Sequence, residues 1–271
     1  MRISASNIAW DIVEEPAVAE LLRDRGVDRV DIAPGKYFPD PETTTDAEIV
    51  AVRHLWRRRG FAIHGMQALL FGTAGLNLFD DAEGAMLRRL TAICRIGGGL
   101  GASALTFGSP RQRDRSGRSD DETASIAVDF FRRLGDAAST AGVIVCLEPN
   151  PAIYGCNFMV GTGETAGVVA AVDHPSVRLQ LDVGALALNG EPVAETIARH
   201  AALIGHVHAS EPQLVTLGDG GAPHAAAGAA LRALRPDLTV TIEMVASKLA
   251  PHAAEVARAI DLAQACYGDR P

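Results

Sequence analysis

Residues 97–102 read GGGLGA, and residues 3–10 read ISASNIAW. The first stretch formally fits the G-x-G-x-x-A fingerprint of a dinucleotide-binding fold. That fingerprint needs its glycines directly after a strand and at the opening of a helix, where backbone N–H groups can face a pyrophosphate. Here the order is reversed. GGGLGA follows a helical stretch and precedes a β-rich run, so it reads as a helix stop and a tight connection. The first β-rich run ends in Asn7, Ile8, Ala9 and Trp10 without a glycine. A doubly wound sheet would therefore lack its phosphate turn. A closed barrel needs no such turn.

Outward from there, β-rich runs alternate with helical ones along the chain. Strands are expected at 3–9, 29–33, 61–66, 104–107, 143–148, 177–182, 204–208 and 239–243. Helices are expected at 17–25, 46–59, 82–96, 120–141, 164–173, 193–199, 225–234 and 251–265. Repeated β-then-α units demand parallel strands joined by crossover helices. Eight of them in 271 residues match the size of a single-domain (β/α)8 TIM barrel with its active site at the C-terminal strand ends. No linker or composition break appears, so one domain over residues 1–271 is expected. The Ala-rich run at 222–233 is a good helix former and no more.

The balance of residues excludes several classes. With 48% apolar and 21% charged residues the chain is an ordinary globule, neither disordered nor collagenous. A net charge of −8 argues against a nucleic-acid partner. The four cysteines, Cys94, Cys146, Cys156 and Cys266, are scattered without C-x-x-C spacing, which suits a reducing cytoplasm. No run is apolar for the ~20 residues a membrane span requires, and the N-terminus lacks a signal-peptide core.

The ends of the last four expected strands carry the chemistry. CLEPNP (146–151) places Glu148 at the fifth tip, LQLDVG (179–184) places Asp182 at the sixth, GHVHASEP (205–212) places His208 at the seventh, and VTIEM (240–244) places Glu243 at the eighth. They stand 34, 26 and 35 residues apart, one βα unit each. Three carboxylates in one barrel mouth repel, and some must hold protons unless a cation joins them. One divalent metal ion resolves the conflict. Oxygen-rich ligation with a single histidine suits Mn2+, Mg2+ or Co2+, with Zn2+ also compatible.

This set of glutamate, aspartate, histidine and glutamate, carried by LEPNP, LDVG, HVHASEP and TIEM, resembles the xylose isomerase-like TIM-barrel superfamily. That group includes sugar and sugar-phosphate isomerases and epimerases, inosose dehydratase and apurinic endonucleases. SNIAWD (6–11), IAPGKYF (32–38), MQALLFG (66–72) and FGSPRQR (107–113) look like a bacterial sugar phosphate isomerase/epimerase subgroup, so the resemblance covers the whole chain. It implies a metal that binds two adjacent oxygens of a keto-sugar and stabilises an enediolate. It also implies that Glu148 and Glu243 are the acid/base pair, with Asp182 and His208 as further metal ligands. Epimerisation, isomerisation and an inosose-type dehydration share that first step. A barrel that binds metal and carbohydrate without turnover is a further alternative.

Two branches of the superfamily fit less well. Ketose 3-epimerases carry a glutamate, a histidine and an arginine where this chain has Tyr154, Ala185 and Leu214. The three-zinc endonucleases need further histidines. His64 matches one of them, but Ala185 and Phe107 stand near others.

Substrate contacts are expected from His64 and Gln67 after the third strand, and from Arg111 and Arg113 in GSPRQRDRSGR (108–118) as a clamp for a phosphate or carboxylate. Asn150 and Glu211 are further expected contacts, Glu211 toward His208 or a substrate hydroxyl. His206 shares the face of His208 on its strand and reads as an inner-layer residue. Lys36 and Tyr37 read as a lid contact or a surface loop, Trp10 and Phe71 as apolar pocket walls or core, and Thr162 as a helix N-cap, with a phosphate held by the backbone of GTGET (161–165) as the alternative. The expected partner is a small carbohydrate, with a homo-oligomer compatible.

Overall fold

The computed structural model describes residues 1–248 and 250–268. The end of the expected domain at 269–271, and residue 249, lie outside the described residues. Eight parallel strands close on one another in chain order. They are β1 (Arg2–Ser6), β2 (Arg29–Ile32), β3 (Ala62–Met66), β4 (Ala104–Phe107), β5 (Ile144–Leu147), β6 (Val177–Asp182), β7 (Ile204–Ser210) and β8 (Thr239–Glu243). The ring closes where β1 pairs with β8, Ile3 opposite Val240. This is a single (β/α)8 TIM barrel. Among the described residues, no helix is long and apolar enough to cross a membrane.

Around the barrel run α1 (Glu15–Asp24), α2 (Asp46–Arg58), α3 (Ala85–Leu100), α4 (Asp120–Ala141), α5 (Thr162–Val172), α6 (Val183–Leu188), α7 (Val193–His200), α8 (His224–Leu234) and α9 (Ala253–Tyr267). Local chemistry sets several of their ends. Thr45 with Glu48 and Ser119 with Glu122 form capping boxes at the starts of α2 and α4. Gly142 ends α4 in the left-handed conformation at φ 72°. The inward stripes of α3 and α4 pack buried residues such as Leu90, Ile93, Phe131 and Leu134 over the strands.

The structure corrects the sequence in four local places. Gly97–Leu100 belong to α3, and the stop comes only at Gly101. The triple glycine is a packing surface. A Cβ at Gly98 would sit 2.2 Å from the Ala141 carbonyl oxygen, and one at Gly99 would sit 2.7 Å from Ile49 Cγ2. α6 was not expected. It starts directly after β6 because the Asp182 carboxylate accepts from the Ala185 N–H and caps it. Gly161, not Thr162, caps α5. Phe71 is 89% exposed rather than core, carried out on a loop that turns at Ala68 (φ 53°).

Two register shifts interrupt the barrel. β2 and β3 slip between Val30 and Asp31, so that Asp31 pairs with Gly65 and His64 is passed over. β6 and β7 slip between Leu179 and Gln180, so that Gln180 pairs with His206. Such irregularities re-aim side chains. Here they lie at the polar residues of the barrel interior.

The close approach at Gly98 gives a test with an unusual sign. A helix-interior Gly→Ala change normally stabilises by about 0.5–1 kcal/mol. Gly98→Ala is expected instead to cost about 1–3 kcal/mol as overpacking against α4. Urea unfolding of both proteins measures the difference.

Candidate metal centre

The barrel brings Glu148, Asp182, His208 and Glu243 together. One ligand atom from each lies within 4.8 Å of all the others, and all four residues are largely buried. Their strands end side by side, so each backbone delivers its side chain to the same C-terminal mouth. His208 Nδ1 lies 3.1 Å from Glu148 Oε1 and 3.1 Å from Glu243 Oε2.

Each acid is held from behind by a neutral group. Gln67 Nε2 donates to Glu243 Oε1. Asn150 Nδ2 donates to Glu148 Oε2 at 3.1 Å. Ser210 Oγ donates to Asp182 Oδ2 at 2.6 Å and accepts from the Gly184 N–H at 3.0 Å. The amides and the hydroxyl fix the carboxylates without adding charge. Gly108 provides clearance, since a Cβ there would sit 2.4 Å from Glu148 Oε2.

The electrostatics show the strain of bringing these groups together. Burial, with Glu148 and Glu243 beside it, pushes the Asp182 carboxyl up to about 8. Burial alone would depress His208, but Glu243 and Glu148 override it and raise the imidazole well above its ordinary value. Burial would raise Glu243, yet His208 and the Gln67 hydrogen bond bring it below the usual glutamate value. Protons shared with His208 thus neutralise part of the carboxylate charge. The donor set fits a hard divalent cation: three carboxylates supply oxygens, and the imidazole nitrogen nearest them is Nδ1.

The expected contacts divide. Arg111, Asn150 and Glu211 line a cavity of about 760 Å³ over the carboxylates, with Tyr154, Ala185 and Leu214 in its wall. Gln67 lines a second cavity of about 710 Å³ with Trp10, Phe38, Leu69 and Phe71, and Glu148 and Glu243 border both.

Glu211 is turned to its own loop. It accepts from the Gly218 and Ala222 N–H groups at 2.7 and 2.8 Å and contacts His224 Nε2 at 3.1 Å. Arg113 is fully buried. Its Nη1 donates to the Glu148 carbonyl at 2.8 Å and its Nε to Cys156 Sγ at 3.2 Å, so it braces the end of β5. His64 sits lower in β3, beside Ser103 and with its ring 5.4 Å from that of His206. Burial brings its imidazole down to about 4. Arg115 and Arg118 pair with Asp120 and Asp80. Lys36 Nζ donates to the Trp10 carbonyl at 2.7 Å and to the Asn7 carbonyl, bracing the loop after β1.

Sequence reasoning missed Ser210. It lies two residues beyond His208, and period-two alternation along β7 puts His206, His208 and Ser210 on one face.

The family model for the xylose isomerase-like TIM barrel matches residues 19–266. The chain belongs to this family. Among solved structures, a D-psicose 3-epimerase from Clostridium cellulolyticum H10, crystallised with D-tagatose, is 18% identical. Its TM-score is 0.81, and the match covers 98% of this chain and 99% of that one. An apo 3-keto-D-glucoside 4-epimerase from E. coli is 19% identical with a TM-score of 0.78, covering 98% and 100%. An L-ribulose 3-epimerase is 16% identical with a TM-score of 0.77, covering 98% and 94%. At these identities the likeness is one of fold. No curated protein matches the chain.

The shifted acids predict how metal and pH combine. The raised Asp182 holds a proton in the folded chain that the unfolded chain releases, so its contribution is lost as pH rises from about 4 to about 8. The raised His208 acts in the same direction, losing its contribution as pH rises through its folded value. A cation bound there would replace those protons. The rise in Tm produced by Mn2+ is therefore expected to be larger at pH 8 than at pH 6, as read by differential scanning calorimetry.

Proposed function

We propose that the chain is a divalent-metal-dependent isomerase or epimerase of a sugar, sugar phosphate or cyclitol. The carrying observation is the convergence of Glu148, Asp182, His208 and Glu243 within 4.8 Å at the barrel mouth. The family membership and the epimerases that share the fold support the same reading. In this reading the four side chains hold one ion, with Mn2+, Mg2+ or Co2+ favoured by the donor set and Zn2+ compatible. When bound, the cation would polarise a substrate carbonyl and its neighbouring hydroxyl, acidifying the C–H bond beside the carbonyl.

The remaining work falls to this chain's side chains. Glu148 and Glu243 each have one oxygen held by an amide and one turned to His208. The two carboxylates therefore border the substrate space in fixed orientations. One removes the proton, and the other returns a proton to complete epimerisation or isomerisation. The mass balance closes, because one proton leaves carbon and one arrives. Carboxyl protons exchange with water, so solvent hydrogen enters the product.

Arg113 is turned to the end of β5, which leaves Arg111 as the cation of its loop at the cavity. Tyr154, Ala185 and Leu214 occupy the cavity wall at the three positions where ketose 3-epimerases carry polar groups. That wall favours a substrate other than a free ketohexose.

Two measurements test the reading. Deuterium uptake from D2O into a panel of keto-sugars, sugar phosphates and inososes should occur with Mn2+ present. It should fall by about 10²–10⁴-fold in Glu148→Gln and in Glu243→Gln. Loss of water in place of exchange would indicate a dehydratase, and binding without exchange would indicate a carbohydrate-binding barrel. Asp182→Ala should lose bound metal by elemental analysis while keeping the circular dichroism of the fold. Full metal occupancy in that protein would remove Asp182 from the ligand set.

A further inference from the structure

Below the carboxylates lies a second, fully buried polar layer that the proposed reaction does not use. Asp31 on β2, Gln180 on β6 and His206 on β7 have relative exposures of 0%, 0% and 1%. Ser4 Oγ donates to Asp31 Oδ1 at 3.0 Å. His206 Nδ1 meets Gln180 Oε1 at 3.1 Å, and its Nε2 lies 3.0 Å from Asp31 Oδ2. Both register shifts of the barrel fall here, at Asp31 and at Gln180. Gly65 is required as well, because a Cβ there would lie 2.4 Å from Asp31 Oδ2. A charged group in a barrel interior is costly to desolvate, and two register shifts and the missing side chain at Gly65 accompany this one.

The layer meets the metal centre at His208. His208 turns Nδ1 to Glu148 and Glu243, and its Nε2 is fully buried with no hydrogen-bond partner. Asp31 Oδ2 is likewise buried without a well-aligned hydrogen bond. Ligand atoms of Asp31, His206 and His208 all lie within 4.8 Å of one another. The rings of His206 and His208 pack edge to face, with centroids 5.2 Å apart.

An imidazole that gives the Nδ1 lone pair to a cation must carry its proton on Nε2. That proton needs an acceptor, and a carboxylate behind a metal-bound histidine both fixes the tautomer and strengthens the ligand. We propose that Asp31 is the positioning residue of the metal centre, accepting the His208 Nε2 proton directly or through one bridging water and so holding Nδ1 free for the cation. The inference rests on the metal reading above and extends it to a residue that lies outside both cavities.

The experiment measures binding and tautomer in place of turnover. Mn2+ and Co2+ affinities are read by isothermal titration for the full chain, Asp31→Asn and Ser4→Ala. Ser4→Ala disturbs the same layer but keeps the carboxylate. The proposal expects Asp31→Asn to weaken binding by about 10–100-fold and Ser4→Ala to bind close to wild type. In parallel, ¹⁵N-histidine NMR of the Zn2+-loaded wild-type chain should show His208 protonated at Nε2. That proton should move upfield in Asp31→Asn.

Unchanged affinity in Asp31→Asn, with only a lower Tm, would reduce Asp31 to a structural role and overturn the proposal. If Asp31→Asn does not fold, the wild-type spectrum decides: a loaded His208 protonated at Nδ1 overturns it. Failure of the wild-type chain to bind any divalent ion would overturn the metal reading itself.

Discussion

Three carboxylates converge on one imidazole at the mouth of the barrel, and the rest of the site follows from that crowding. Like charges this close, and largely removed from water, cannot all remain ionised without compensation. In the chain alone the compensation is protonic: Asp182 keeps a proton toward neutral pH, and His208 is held as a cation between Glu148 and Glu243. A divalent ion would supply the same compensation with one centre of charge, and in the proposed reading these groups would then serve as its ligand set.

The surroundings keep that convergence from relaxing. Gln67, Asn150 and Ser210 hold the acids through neutral donors. Arg113 braces the strand end beneath Glu148 through the backbone carbonyl. Glu211, joined to His224 and two backbone amides, sets the course of the loop after β7. Glycines at 108 and 184 supply clearance that a methyl group would remove. Rigidity of this kind is what strand-borne sites offer over loop-borne ones.

Legibility from sequence depended on the range of the governing interaction. The alternation of β and α runs is local, and it yielded all eight strands with boundaries off by at most three residues. β4, β6 and β8 matched at both ends. The four acidic or imidazole strand ends were legible because barrel closure turns a spacing of one βα unit into spatial neighbourhood. Arg113 was not legible as a brace, because nothing local tells a clamp that faces solvent from one folded back on a carbonyl. Gly97–Gly99 misled for a related reason: Gly97 makes room for Leu105 on β4, and Gly98 and Gly99 admit Ala141 and Ile49 from neighbouring helices. Such packing leaves no mark within six residues. Phe71 looked like core by type alone, while the turn at Ala68 sends it to the surface.

The amino-acid order by itself determined the barrel and the identity of the converging donors. Both follow from periodicity and from which residue ends each strand. Only the tertiary structure decided what stands behind those donors: the amides on Glu148 and Glu243, the serine on Asp182, and the buried Asp31 layer under His208. Those partners come from distant strands and loops; Gln67 and Glu243 stand 176 residues apart in the chain. Their contacts depend on ångström-scale register and clearance, which closure of the barrel alone imposes.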